Sequence, residues 1–326
     1  MKGSRFSLAI LTGGYSSEAP VSRRSAAMVM DNIDRAKWAP VLVHIDRNGW
    51  WADIDGERVE VDRNDFSAGS LRFDGALVMV HGTPGEDGRL QAYLEEVGIP
   101  HTNGSPRNMA LTFHKGWTTA LLRSHGIAVA DSVILLPGDT PDVAAIEAAV
   151  GSYPCFVKPN EAGSSFGVSR VAAADELLPA IDAARAEGGS VLVEQFLPGR
   201  EFSIGVIPDL AGLPMALPVT EIVAHGAFFD YQAKYEGASD EITPAAIPAD
   251  AASAMQDLAV RTYRATECRG LARVDMKWDE STDRPPAVIE INTVPGFTAQ
   301  SLVPQQAAHL GISKTELIER ILAVLV

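Results

Sequence analysis

Cysteine is almost missing from this chain: Cys155 and Cys268 are the only two among 326 residues. Without paired Cys/His spacing there is no disulfide framework and no thiolate zinc site, and the two thiols fit a reducing cytoplasm. Positive charge is scarce as well, 27 Lys and Arg against 42 Asp and Glu, for a formal charge of −15. That balance argues against any general affinity for nucleic acid or an anionic membrane, so an anionic substrate must be met by local cations. No apolar run reaches the ~20 residues that span a bilayer. Met1-Lys2-Gly3-Ser4-Arg5-Phe6 leads straight into a strand-like run, without the apolar core and small-residue cleavage site of a signal peptide. Internal repeats and low-complexity tracts are lacking too, alanine-rich helices aside. Two nucleotide signatures are also missing. The first loop reads Gly13-Gly14-Tyr15-Ser16-Ser17-Glu18 rather than G-x-G-x-x-G, which disfavours hydride transfer, and no G-x-x-x-x-G-K-[ST] loop of a P-loop NTPase occurs.

What is present is a globular mix, 46% apolar and 21% charged, with length for about two or three domains and a large core. Residues 1–103 alternate strand and helix. Residues 7–11 read as a buried strand, Gly13-Gly14 as its turn, and 21–33 as a helix with Pro20 in its first turn. Residues 41–45 and 76–80 are further strands, and 90–97 a helix. This alternation predicts an α/β architecture with a parallel, doubly wound sheet and ligands at the carboxyl ends of its strands. Gly13-Gly14 and the run His81-Gly82-Thr83-Pro84-Gly85-Glu86-Asp87-Gly88 fall at those ends.

From 104 to 197 the pattern changes. Helices near 114–125 and 141–150 flank Cys155-Phe156-Val157-Lys158-Pro159, a strand that ends in a lysine. Asn160 to Val168 follows, with Gly163-Ser164-Ser165-Phe166-Gly167 at its centre. Glycines and small hydroxyl residues let a backbone bend closely around a phosphate chain. A flexible hairpin tip is the competing reading, weakened by the lysine just before it.

From 198 to 326 the chain holds a strand at 202–206, an aromatic and polar loop at 225–243, and a closing helix at 314–324. The loop carries Phe228, Phe229, Asp230, Tyr231, Lys234 and Tyr235, which fits a lid over a ligand, an interface, or rings packed under their own loop. The two runs Leu271–Lys277 and Val288–Thr293 read as strands of a hairpin joined by the turn-rich 279–286. Period-two alternation puts Arg273 and Asp275 on one face, and likewise Glu290 and Asn292. Two carboxylates and a carboxamide gathered in this way are hard oxygen ligands, incomplete without water or phosphate oxygens, as Mg²⁺ prefers. A solvent-facing hairpin with ordinary charges is the alternative.

Together these segments resemble the ATP-grasp fold and, more closely, the D-alanine–D-alanine ligase family. They occur in the family's order along nearly the whole chain: the Gly13–Glu18 and His81–Gly88 loops, Val157-Lys158-Pro159, Gly163–Gly167, Asp230–Tyr235, Arg273-Val274-Asp275, Glu290–Thr293, Pro295-Gly296 and Ser301–Pro304. The resemblance implies three domains: a Rossmann-like substrate domain at 1–103, a central ATP-grasp domain at 104–197, and a catalytic ATP-grasp domain at 198–326 whose lid spans about 225–243. It further implies a cytoplasmic homodimer that joins two D-alanines with ATP through an acyl phosphate, for peptidoglycan synthesis.

Residue by residue, the resemblance gives Lys115, Lys158 and Lys234 to the triphosphate, and Glu194, Gln195, Phe196, Leu197, Glu201 and Phe228 to the rest of the nucleotide. Asp275, Glu290 and Asn292 would hold two Mg²⁺ or Mn²⁺ ions. Glu18, with His81 nearby, would meet the first D-alanine, Arg273 and the Gly296 amide the oxyanion, and Ser301 and Leu302 the second carboxylate. Glu18, Ser164 and Tyr235 would form a hydrogen-bond chain across the three domains. Competing readings make Glu18 a helix-start carboxylate favoured by the macrodipole, His81 a satisfied polar residue at a strand end, and Ser301 a helix cap. Two positions depart from the family: Phe113-His114-Lys115 stands where Met-Asp-Lys is common, and Ala19-Pro20 where Arg or His precedes Glu. The first change bears on how the Lys115 helix is anchored, the second on charge beside Glu18. A related ligase with another acceptor, D-serine, D-lactate or a specialised peptide, is the alternative activity, and Tyr235 argues against D-lactate.

Overall fold

A computed structural model describes residues 5–151, 153–161, 163, 167–224 and 239–326, and its described strands lie in three sheets. The first contains β1 (Phe6–Gly13), β2 (Trp38–Asp46), β3 (Gly49–Ile54), β4 (Glu57–Asp62), β5 (Ser67–Ala68) and β6 (Gly75–Val78), in the order β5-β4-β3-β2-β1-β6. Helices α1 (Ala19–Asn32) and α2 (Arg89–Glu96) belong to this unit. β1 runs parallel to β2 and β6, as the alternation of elements predicts. The rest of the sheet does not follow that expectation, because β2, β3, β4 and β5 pair antiparallel in succession. Connection length decides this: Arg47-Asn48, Asp55-Gly56 and the four residues 63–66 join these strands, and so few residues cannot carry a crossover helix. Asp55 (φ +51°) and Gly56 (φ +84°) both take the left-handed conformation that such a turn demands.

The stretch expected as one helix near 114–125 is preceded by another. Ser105 accepts from Asn108 N–H and Pro106 opens α3 (Pro106–Phe113), while His114 separates it from α4 (Lys115–Ser124). The second sheet is wholly antiparallel, with β7 (Ser132–Leu135), β8 (Cys155–Pro159), β9 (Ser169–Val171) and β10 (Val191–Gln195) in the order β7-β10-β8-β9. It is backed by α5 (Val143–Val150) and α6 (Ala174–Gly188), whose Ile146, Val150, Leu177 and Ile181 share a core with Val157 and Val193.

The third sheet holds β11 (Arg200–Pro208), β12 (Pro214–Ala216), β13 (Thr220–Ala224), β14 (Ser239–Ile242), β15 (Ala272–Trp278) and β16 (Ala287–Asn292). Its order is β14-β13-β11-β15-β16, with β12 on β11. α7 (Ala249–Ala265) covers one face, packing Met255 and Ala259 with Phe202, Val274 and Val288. α8 (Leu302–His309) and α9 (Lys314–Leu322) turn back to the first sheet, where Leu317, Ile318 and Ile321 join Leu8, Ile10 and Val29 in one cluster. Among the described residues no helix is long and apolar enough to cross a membrane.

Candidate active site

β15 and β16 pair antiparallel, with Arg273 opposite Asn292 and Asp275 opposite Glu290. The polar faces therefore meet as alternation predicts, but the register slips after Asp275, so that Met276 pairs with Val288 and Ile289 is an extra residue. This bulge lets both Val288 and Ile291 enter the core while Glu290 and Asn292 face a cavity. Arg273 donates to both Asp275 oxygens, from Nε at 2.9 Å and Nη2 at 2.7 Å. Ser203 of β11 donates to Oδ1 at 2.6 Å, and Asn292 Nδ2 reaches Asp275 Oδ2 at 3.0 Å and Glu290 Oε1 at 3.4 Å. Among the described residues no three His, Cys, Asp or Glu stand together as a metal site. Asp275 and Glu290 with one carboxamide are a partial set of hard oxygen donors, which fits a cation that takes its remaining ligands from phosphate oxygens and water.

The second sheet supplies the opposite wall. Phe156, Lys158 and Glu194 share a face, since Glu194 pairs with Phe156 in the β8–β10 ladder. Lys158 Nζ lies 2.5 Å from Glu194 Oε2, both nearly buried. Phe156 stacks on Phe196 at 6.1 Å between ring centroids. Lys115 reaches the same space from α4, its Nζ 4.0 Å from Glu290 Oε2. Asn160, fully buried, fixes that approach: its carbonyl accepts from Lys115 N–H at 3.1 Å and its Oδ1 from Gly116 N–H at 2.9 Å. His114 serves where the family commonly has Asp, because its Nδ1 accepts from Trp117 N–H at 3.1 Å and so caps α4. Burial lowers the pKa of this imidazole.

The third wall comes from the first sheet. Gly13 and Gly14 take φ +98° and +106°, and a side chain on Gly13 would strike the Ile45 carbonyl at 2.5 Å, so the loop after β1 must be glycine. Glu18 sits at the N-cap of α1 without a side-chain cap bond. A Cβ on Gly163 would come within 2.6 Å of Glu18 Oε2, so Gly163 lies directly against this carboxylate. His81 is buried and its pKa lowered, chiefly by desolvation. Glu86 is pushed up to about 8 by burial and by the Glu18 charge. Arg24, on α1, also lines the cavity, a cation on the same helix that Glu18 opens.

The walls enclose about 580 Å³. Lining it are Glu18, His81, Lys115, Lys158, the run Glu194 to Leu197, Glu201, Arg273, Asp275, Glu290, Asn292, Gly296, Ser301 and Leu302. These are all the expected site residues that fall in described segments. Ser164, Phe228, Lys234 and Tyr235 lie outside the described residues. Ser301 stands at the N-cap of α8, yet its hydroxyl accepts from Thr298 N–H at 2.9 Å rather than capping the helix. Asn160, Ser203 and Lys277, the last 3.4 Å from Glu201, serve the site without standing among the expected residues. Period two was a signal for Lys277, which shares the Arg273 face, whereas a buried Asn after Pro159 reads like any turn residue.

Comparison with known proteins places this geometry in context. The family model described as D-ala D-ala ligase C-terminus matches residues 121–323, and that described as D-ala D-ala ligase N-terminus matches 7–69. The D-alanine--D-alanine ligase of Flavobacterium johnsoniae is 42% identical over 315 residues, covering 95% of this chain and 96% of that protein. That of Porphyromonas gingivalis is 41% identical over 317 residues, 95% of each. Among solved structures, the VanG D-Ala:D-Ser ligase from Enterococcus faecalis superposes with TM-score 0.88 at 30% identity, covering 99% of this chain and 100% of that one. The D-alanine--D-alanine ligase from Bacillus anthracis complexed with ATP gives 0.80 at 26%, covering 98% and 97%.

Proposed function

Because the chain belongs to the D-alanine–D-alanine ligase family, we infer that it joins two D-alanines at the expense of ATP, giving D-alanyl-D-alanine, ADP and phosphate for peptidoglycan synthesis. A carboxylate is a poor acyl donor, so the γ-phosphoryl group first passes to the carboxylate of one D-alanine. The amine of the second then attacks this acyl phosphate and phosphate leaves. The observation that carries the reading is one cavity lined both by the cations Lys115 and Lys158 and by the oxygen donors Asp275, Glu290 and Asn292.

In this reading Lys115 and Lys158, with Lys234, meet the triphosphate, whose developing charge positioned cations stabilise. Glu194, Gln195, Phe196, Leu197, Glu201 and Phe228 hold the adenosine part, supported by the Phe156–Phe196 stack as a flat apolar surface. Asp275, Glu290 and Asn292 are the residues that would hold two Mg²⁺ or Mn²⁺ ions, which when bound neutralise phosphate oxygens. Glu18 attracts the ammonium of the first D-alanine, and Arg273 and the Gly296 amide face the tetrahedral oxyanion. Ser301 and Leu302 receive the second carboxylate. Ser164 and Tyr235 complete a chain from Glu18 that draws the 225–243 lid over the acyl phosphate and keeps water out. The division near 103 and 197 gives this closure its moving parts. ATP as a substrate and two free thiols support a cytoplasmic protein; a homodimer is the assembly expected, to be read by light scattering.

The test is incubation with ATP and D-Ala, D-Ser, D-Lac or L-Ala, with products read by mass spectrometry. D-Ala-D-Ala should dominate. A preference for D-Ala-D-Ser would make this a ligase of another acceptor, and L-Ala-L-Ala as main product would sink the reading.

A further inference from the structure

We propose that Ser25 is a positioning residue for ligation: together with His81 and Glu86 it clamps the turn Val294–Phe297 from the N-terminal unit and so fixes the Gly296 amide at the cavity wall. The inference rests on the ligase reading for what Gly296 does, but its geometry stands independently of it.

The chain of donors and acceptors is determined by the carbonyl at one end. His81 Nδ1 lies 2.6 Å from Val294 O. A carbonyl oxygen only accepts, so Nδ1 carries the proton, and in the neutral ring Nε2 is then an acceptor. Ser25 Oγ, 3.2 Å away, donates its hydroxyl proton to Nε2 and accepts from Phe297 N–H at 3.1 Å. Desolvation holds His81 neutral, in keeping with this assignment. Glu86 completes the clamp: Oε1 accepts from Val294 N–H at 3.2 Å while Oε2 accepts from Gly82 N–H at 2.7 Å.

Three backbone groups around Pro295-Gly296, the Val294 N–H, the Val294 carbonyl and the Phe297 N–H, are thus held by side chains from residues 25, 81 and 86. Pro295 narrows the freedom of the turn further because its ring fixes φ. The Phe297 side chain is fully buried in the core that the first sheet shares with α8 and α9. Gly296 lines the cavity between these anchors. An amide donor stabilises an oxyanion only if it is already aimed when charge develops, so a loosened turn should weaken binding of the transition state more than binding of the substrates.

Ser25 is fully buried, and Ser25→Ala removes one oxygen, leaving both Phe297 N–H and His81 Nε2 without their partner. Ser22→Ala is the control. Ser22 is equally buried on the same helix, but its hydroxyl joins Gly13 N–H and the Met79 carbonyl and does not touch the turn. In the full-length enzyme, Ser25→Ala should lower kcat about tenfold or more with KM for ATP unchanged, and weaken a phosphinate mimic of the tetrahedral adduct by the same factor. Amide exchange at Phe297 should accelerate at least about tenfold. Ser22→Ala should lower thermal stability without either effect. Ser25→Ala with wild-type kcat and wild-type Phe297 exchange would overturn the proposal, as would parallel losses of kcat and ATP affinity in both variants. If the wild type forms no dipeptide, the ligase reading fails, while Phe297 exchange still decides whether Ser25 holds the turn.

Discussion

Leu8, Ile10 and Val29 of the first unit lie in one apolar cluster with Leu317, Ile318 and Ile321 of α9, near the other end of the chain. Val157 and Val193 of the second sheet and Ile181 of α6 belong to a separate cluster, drawn from residues between 133 and 193. The site is therefore assembled from two kinds of support. Glu18, His81 and the turn carrying Gly296 stand on units joined by a common core and tied by buried hydrogen bonds. Lys158 and Glu194 stand on a sheet that meets the others across the cavity. A unit with its own core can shift as a body without exposing its neighbours' apolar surface, which is what the proposed entry of a nucleotide and exclusion of water would require.

Glu290→Gln sharpens the contrast most. It removes a charge from the third sheet without touching the second, so kcat should fall by about a hundredfold or more while a non-hydrolysable ATP analogue still binds and the far-UV spectrum is unchanged. Near-normal turnover would reduce the β15–β16 pair to a polar hairpin, and loss of the fold would show that its charges hold structure.

Next come paired cavity mutations. Ile321→Ala in the shared core and Ile181→Ala in the separate one should each cost about 2–4 kcal/mol. Hydrogen exchange should tell them apart: the first should speed exchange in both β1 and β11, the second only in β7 to β10. Spread of the Ile181→Ala effect into β1 would break the comparison.

A smaller effect concerns Glu86, at the junction of the joined units. Its carboxyl titrates near 8 in the fold against an ordinary 4.5, so the folded chain holds the proton more tightly than the unfolded one. Stability contributed by the protonated form is full at the acid end and is lost as pH rises from about 4.5 to about 8, flattening above. Melting curves across that window should show this decline in the wild type and its loss in Glu86→Gln; equal slopes would mean that Glu86 is not the group responsible. The smallest effect is expected at the surface. Lys37 pairs with Glu319 of α9 across the joined units at 2.8 Å but is largely exposed, and Lys37→Met should leave Tm unchanged. A clear drop would mean that the junction is held by charge as well as by apolar packing.

Much of this was legible in the chain. The strand–helix–strand start, the glycine turn, the Lys158 strand and the polar faces of β15 and β16 all follow from local periodicity, and each appears in the fold. Other local signals in the chain mark elements beyond those expected. Asp55-Gly56 marks a two-residue hairpin, and Ser105-Pro106 marks the start of α3. The bulge at Ile289 left no such mark, because strict alternation and a one-residue slip look alike until the core chooses Val288.

Local order was enough for the element types, the side chains able to meet phosphate and the carboxylates able to meet a cation, because period, turn chemistry and charge act over a few residues. Which of them meet was settled by packing. Asn160 holds Lys115 and its helix start from 44 and 45 residues away, and Ser25 reaches Phe297 across 272 positions. Contacts of that kind arise from packing one unit on another, and nothing in the local order of residues encodes them.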